Sequence, residues 1–168
     1  MSTRVAVISD THVGQRISAY PEGLLESLRD FDLIIHAGDH TNVEALEALR
    51  SAGEVETVCG NMDEVGVSSQ LPGELFFKIE RLKIGVIHGW GPPVGLAKEV
   101  RKAFYKANLT PDIIIFGHSH LPHDEIIGNV RMLNPGAVSG NLNSNRGSYG
   151  ILTIDGDSVK WQYIDIDI

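Results

Sequence analysis

A chain of 168 residues with 42% apolar and 21% charged side chains has the make-up of a folded globular protein, which excludes a disordered or low-complexity polypeptide. A formal net charge of -8, from 22 acidic against 14 basic side chains with no Lys/Arg cluster, excludes an extended nucleic-acid-binding face. The single cysteine, Cys59, excludes an intrachain disulfide, and no apolar run approaches the roughly 20 residues of a membrane span. The apolar stretch near the N-terminus is too short for a secretory leader, so a cytoplasmic location is expected, with residues 1–168 as one domain.

In chain order, Val5 to Ile8 is a short β-branched run that stops at Ser9-Asp10 and reads as a buried strand. Pro21 to Leu28 has helical spacing with a Pro-Glu first turn. Asp32 to Ala37 is a second buried strand leading into Gly38-Asp39. Asn42 is placed to cap a helix through about Arg50, with Val43, Leu46 and Leu49 as its apolar stripe. Val55 to Val58 is a third strand, opening into Gly60-Asn61-Met62-Asp63. Leu75 to Ile79 and Lys83 to Ile87 read as a hairpin that ends at His88-Gly89. Val94 to Ala107 is an amphipathic helix, and Asp112 to Phe116 a strand ending at Gly117-His118-Ser119-His120. Two hairpins follow, turning at Gly128-Asn129 and at Asp155-Gly156-Asp157. An alternating first half and a hairpin-rich second half point to a layered α/β fold.

Five of the strand-like runs share one feature: each stops at a polar cluster with glycine nearby. The clusters are Asp10-Thr11-His12, Gly38-Asp39, Gly60-Asn61, His88-Gly89 and Gly117-His118-Ser119-His120. Ligand sites in layered α/β folds gather at the carboxyl ends of strands, so clusters far apart in sequence are expected to meet. Glycine permits the sharp turns that aim such side chains inward. Taken singly, each cluster has a plainer reading: a helix cap or turn for Asp10 and Asp39, a left-handed turn for Asn61, a hydrogen-bonded strand-end imidazole for His88. His118 and His120 are more specific, because an i, i+2 pair after a strand aims two imidazoles at one region. Together the set offers two carboxylates, four imidazoles and one amide oxygen, a mixed nitrogen and oxygen shell that suits borderline transition metals over magnesium or calcium.

In order and residue type the clusters resemble the motifs of the calcineurin-like metallophosphoesterase superfamily: Asp-x-His, Gly-Asp, Gly-Asn, His-Gly and Gly-His-x-His. The small size, Gly60-Asn61-Met62-Asp63, Asn134-Pro135-Gly136-Ala137 and Arg146-Gly147-Ser148-Tyr149-Gly150 resemble the YfcE-type branch of bacterial phosphodiesterases. The resemblance covers nearly the whole chain. It implies a four-layer αββα sandwich of two mixed sheets with helices outside. It also implies two divalent transition metal ions per chain, manganese first, with iron, nickel, cobalt or zinc as alternatives. Asp10, His12 and His120 would hold one ion, Asn61, His88 and His118 the other, and Asp39 would bridge them. One departure matters. Many phosphatases of the superfamily carry histidine where this chain has Met62, and a thioether cannot donate a proton to a leaving group.

The expected activity is hydrolysis of a small phosphoester, most directly a phosphodiester. A hydroxide held between ions about 3.5–4 Å apart would attack phosphorus in line. Asp63 is a candidate for positioning Asn61 or a histidine, with a turn cap as the plainer reading. His40 is the spare candidate general acid, with a solvated surface position as the alternative. His36 reads as structural, Cys59 as an inert buried thiol, and His123 receives no role. Two alternatives stay open. One is a protein-interaction scaffold of the same fold, like the retromer's metallophosphoesterase-like subunit; the other is a phosphomonoesterase or nucleotidase.

Overall fold

A strand that is apolar at every position needs a packed layer on both faces. In the first strand, β1 (Thr3–Ile8), the apolar run from Val5 to Ile8 obtains this by sending Val5 and Val7 into one buried cluster and Ala6 and Ile8 into another. The computed structural model describes residues 1–168. After β1 come α1 (Leu24–Leu28), β2 (Leu33–His36), α2 (Val43–Arg50), β3 (Val55–Thr57), α3 (Val65–Ser68), β4 (Glu74–Ile79) and β5 (Leu82–Ile87). The chain continues through α4 (Leu96–Lys106), β6 (Ile113–Phe116), β7 (Pro122–Ile127), β8 (Val130–Pro135), β9 (Arg146–Asp155) and β10 (Ser158–Asp167).

The strands form two five-stranded sheets, ordered β10-β9-β1-β2-β3 and β4-β5-β6-β8-β7. Both are mixed. In the first, β1, β2 and β3 are parallel and β9 and β10 antiparallel. In the second, β5, β6 and β8 are parallel while β4 and β7 flank them antiparallel. The period-2 alternation builds three cores. Val5, Ile35, Val86, Ile115 and Leu133 meet between the sheets. Ala6, Ile8 and Ile34 pack under Leu24, Leu28 and Leu49 of α1 and α2, while Ile114, Phe116 and Met132 pack under Val100 and Phe104 of α4. The result is the αββα layering, with few helices outside.

The boundaries differ from the sequence reading in ways that local chemistry explains. α1 begins at Leu24, because Gly23 sits at φ 75, outside helical geometry, and Pro21–Gly23 form a turn. α4 likewise begins at Leu96 after Gly95 at φ 80. The short α3 has too few residues to leave a periodic trace. Asn42 does cap α2, its Oδ1 accepting the Ala45 N–H at 2.8 Å. The three hairpins turn through Glu80-Arg81, Gly128-Asn129 and Gly156-Asp157, as their strand pairings require.

One contact ties α4 to the second sheet. The fully buried Phe104 ring lies against Gly85 of β5, where an added Cβ would come within 2.8 Å of it. Phe104→Ala is expected to cost about 3–5 kcal/mol, read as a lower denaturant midpoint at unchanged slope. Gly85→Val, which overpacks the same contact, is expected to cost about 1–3 kcal/mol. Near-wild-type stability in both variants would contradict this packing.

Candidate metal centre

The parallel strands of both sheets point their carboxyl ends at one edge of the sandwich, and the polar clusters leave from there. Asp10 and His12 follow β1, Asp39 follows β2, Asn61 follows β3, His88 follows β5, and His118 and His120 follow β6. Asp10, His12, Asp39, His118 and His120 all have positive φ, between 45° and 70°. Side chains other than glycine pay about 1–2 kcal/mol each to stand there. Such strain collects where packing and function over-determine the backbone. Gly60 and Gly117 act by clearance and not by turning: a Cβ on Gly60 would run into Asp39, and one on Gly117 into the Ser9 hydroxyl.

The donor atoms meet. Asp10 Oδ1 lies 3.2 Å from His120 Nε2, 3.7 Å from His12 Nε2 and 3.9 Å from His88 Nε2. Asp39 Oδ2 lies 3.2 Å from His88 Nε2 and 3.5 Å from His12 Nε2, so it stands between the two histidines. Asn61 Oδ1 lies 3.1 Å from His88 Nε2 and 3.2 Å from His118 Nδ1. Ligand atoms of Asp10, His12 and His120, and of Asp10, Asp39 and His88, form two groups, each within 4.8 Å.

Hydrogen bonds behind the donors decide what they present. His88 Nδ1 lies 2.7 Å from the Ala37 carbonyl and His118 Nε2 lies 2.9 Å from the Gly91 carbonyl. A carbonyl only accepts, so those nitrogens carry the ring protons, and in the neutral rings His88 Nε2 and His118 Nδ1 present lone pairs. They face the oxygens of Asp39 and Asn61, acceptor against acceptor. Asp10 Oδ1 is buried with no hydrogen-bond partner at all. Its other oxygen, Oδ2, accepts from the Ser9 hydroxyl at 2.6 Å and the His118 N–H at 3.0 Å. With His88 and His118 neutral, the lone pairs that converge on these oxygens leave a place that fits a cation.

The electrostatics agree. Burial pushes the Asp10 carboxyl up, but His12 and His120 outweigh it and hold it well below the usual carboxylate range. Burial pulls His88 down, yet Asp39 and Asp10 raise it to about 9, so in metal-free protein its proton supplies the missing positive charge.

The surrounding residues sort differently from expectation. His40 is neither solvated nor open to the cleft. It is fully buried, stacked on His36 with ring centroids 3.6 Å apart, and its Nε2 lies 2.7 Å from the Thr57 hydroxyl. Burial takes it to about 3, against the pull of Asp39, so it stays neutral. His36 is fully buried in β2, as read. Asp63 accepts N–H groups from Gly60 at 2.7 Å, Thr41 at 2.7 Å and Asp39 at 3.3 Å. It therefore clamps the backbones that carry Asn61 and Asp39 and does not touch a histidine. Met62 points to solvent, while its N–H donates to Asp39 Oδ1 at 2.8 Å. Cys59 lies beyond β3 and is partly exposed, a correction to its reading as buried; burial and then Asp63 raise its thiol pKa, which keeps it protonated. His123 pairs with Glu125 at 2.9 Å in β7. Arg16, unremarkable in a loop sequence, lies with Nη1 2.6 Å from His120 Nδ1.

The chain is similar to known proteins over most of its length. A family model, the calcineurin-like phosphoesterase superfamily domain, matches residues 3–157. A protein named probable metallophosphoesterase from Methanothermobacter thermautotrophicus is 35% identical over 161 residues, 95% of this chain and 91% of its own. A Thermotoga maritima protein solved by NMR superposes with a TM-score of 0.78 at 33% identity, covering 98% of this chain and 99% of its own. Wild-type Vps29 from Entamoeba histolytica, solved with Zn²⁺, gives 0.75 at 29% identity, covering 96% and 98%. The matched family and the two Asp/His groups are consistent with a binuclear metal site. No helix is long and apolar enough to cross a membrane.

Metal-free protein is expected to have two opposed pH windows. His36 and His40 are lowered by burial, so their stability contribution is complete above about pH 6.5 and is lost as pH falls. His88 is raised to about 9, so its contribution is complete below the ordinary histidine value and is lost as pH climbs through about 9. Chelated protein should therefore be most stable near neutrality, each unmatched proton giving a slope of about 1.4 kcal/mol per pH unit. Denaturant midpoints from about pH 5 to about pH 9 check this, and a continuous rise across that range would contradict the His88 environment.

Proposed function

The chain belongs to the calcineurin-like phosphoesterase superfamily, and from that membership we propose that it is a metal-dependent phosphodiesterase. The observation that carries this reading is the meeting of acceptor atoms around the orphaned Asp10 Oδ1, from loops that follow five strands, β1, β2, β3, β5 and β6. Asp10, His12 and His120 would hold one ion, and Asn61, His88 and His118 the other. Asp39, whose Oδ2 stands between His12 and His88, would serve both. Mixed imidazole and carboxylate donors favour transition metals, with manganese the first choice and iron, nickel, cobalt or zinc alternatives. Bound there, two such ions supply Lewis-acid charge to phosphoryl oxygens and make water nucleophilic near neutral pH.

This chain's own residues do the rest. The Ala37 and Gly91 carbonyls fix the tautomers of His88 and His118, leaving the correct nitrogen free. Asp63 and the Met62 N–H hold Asp39 and the Asn61 loop in register. Neither expected position supplies a proton to a leaving group, since Met62 has none to give and His40 is buried and neutral. The enzyme should therefore prefer diesters with stable leaving anions.

The likeness to Vps29 supports a second reading, a protein-interaction scaffold with little turnover. The exposed Val94 and Leu142 would serve as contact surface for it.

Hydrolysis of bis(p-nitrophenyl) phosphate by manganese-loaded protein separates the readings. Chelation, Asp39→Asn and His88→Ala are each expected to lower kcat at least about 100-fold, the scale of losing positioned charge at a reacting phosphoryl group. Rates across a diester series should fall steeply as the leaving-group pKa rises. Wild-type rates in both variants would rule out the centre, and bound metal without turnover across metals and esters would favour the scaffold.

A further inference from the structure

Arg16 stands out because its one polar partner is chemically incompatible with the working state of the centre. The loop that carries it is closed tightly: the Gln15 and Arg16 N–H groups both donate to the His12 carbonyl, at 3.0 and 2.9 Å, and Gly14 N–H donates to Ile17 at 2.7 Å. Arg16 thus rides on the same turn as His12. Its Nη1 lies 2.6 Å from His120 Nδ1, while His120 Nε2 faces Asp10 Oδ1 and His12 Nε2 at 3.2 Å each.

A guanidinium only donates, so this contact needs a lone pair on Nδ1 and places the neutral ring's proton on Nε2. When Nε2 instead gives its lone pair to a cation, the ring proton moves to Nδ1. Two N–H donors then face each other, and the contact with Arg16 is lost. The released guanidinium has no carboxylate to turn to. It lines a groove of about 360 Å³ with His118, His120, Asn141 and Asn143, and no Asp or Glu contributes to that lining. Arg16 is also the only Lys or Arg there.

We infer that Arg16 is a substrate-binding residue that clamps a phosphoryl oxygen beside the centre, and that metal loading at His120 releases it for this task. The inference rests on the phosphoesterase reading above. The planar fork of arginine matches two oxygens of one phosphoryl group. Its charge also answers a chain whose overall charge is -8, which otherwise repels an anionic ester. In the metal-free protein the same contact occupies the guanidinium, so anion affinity and metal loading are coupled through one imidazole.

The test is calorimetric titration of inorganic phosphate into manganese-loaded wild type and Arg16→Ala, with manganese binding measured separately on chelator-stripped protein. Arg16→Ala is expected to hold or tighten manganese, because the contact it removes belongs to the metal-free state, and to weaken phosphate about 10- to 100-fold, the range for a lost charge-assisted bond. Arg16→Lys, which keeps the charge without the fork, should recover part of it. In zinc-loaded protein, ¹⁵N shifts should place the His120 proton on Nδ1. Unchanged phosphate affinity in Arg16→Ala overturns the clamp. So does a parallel loss of manganese, which would make Arg16 a support for His120, and so does a proton retained on Nε2. A wild type that turns over no ester yet binds phosphate through Arg16 removes the enzyme reading and leaves the clamp standing. A wild type that binds manganese but no phosphate overturns the clamp whatever its turnover.

Discussion

Two buried carboxylates facing a ring of imidazole lone pairs are the constraint on which the rest of the molecule depends. Asp10 is fully buried with one oxygen unpartnered, and Asp39 is nearly so. An isolated buried carboxylate is costly enough that it normally takes up a proton. Here Ser9, the His118 N–H and the Met62 N–H satisfy some lone pairs, and the remaining ones are left for a positive charge. In the metal-free protein the proton on His88 answers that demand; bound divalent ions would answer it in its place.

Holding that arrangement sets requirements on the backbone. Side chains on left-handed residues must be fixed from behind, and several buried hydroxyls and amides do it. Ser139 donates its hydroxyl to the Asp10 carbonyl at 2.7 Å, and Asn134 donates to the Gly117 carbonyl at 2.9 Å. Asp63 gathers three N–H groups of two different loops. The His36–His40 stack fills the space under Asp39 with neutral rings, which adds packing without adding charge. Ser139, Asn134 and Asp63 each act on the backbone that carries a donor and not on the donor atoms.

The wall of the centre shapes what the chemistry can do. The net charge is -8, so recognition of a phosphoester would depend on local cations, bound metal and Arg16, and not on the field of the whole protein. Met62 exposes an apolar side chain where a proton donor would assist departure of a poor leaving group. The site is therefore strong in charge stabilisation and weak in general acid catalysis.

The sequence by itself determined the strands and the identity of the clustered polar residues, while the order of the layers came from the resemblance to the superfamily. It could do so because β-branched runs such as Val5–Ile8 and Ile113–Phe116 have no other stable use than strands buried on both faces, and because their ends carry side chains that no core accepts. What each neighbour of the centre does was decided only by the tertiary structure. His40 and Asp39 are adjacent in sequence, yet φ 63 at Asp39 sends one into the core and leaves the other at the centre. Gly60 reads as a turn residue but serves as clearance for Asp39, a contact between loops of different strands. Arg16 and His120 are 104 positions apart, and the contact that gives Arg16 its meaning exists only once β1 and β6 end at the same edge of the sandwich. Periodicity and composition report the local chain; which lone pair faces which proton is settled by long-range packing.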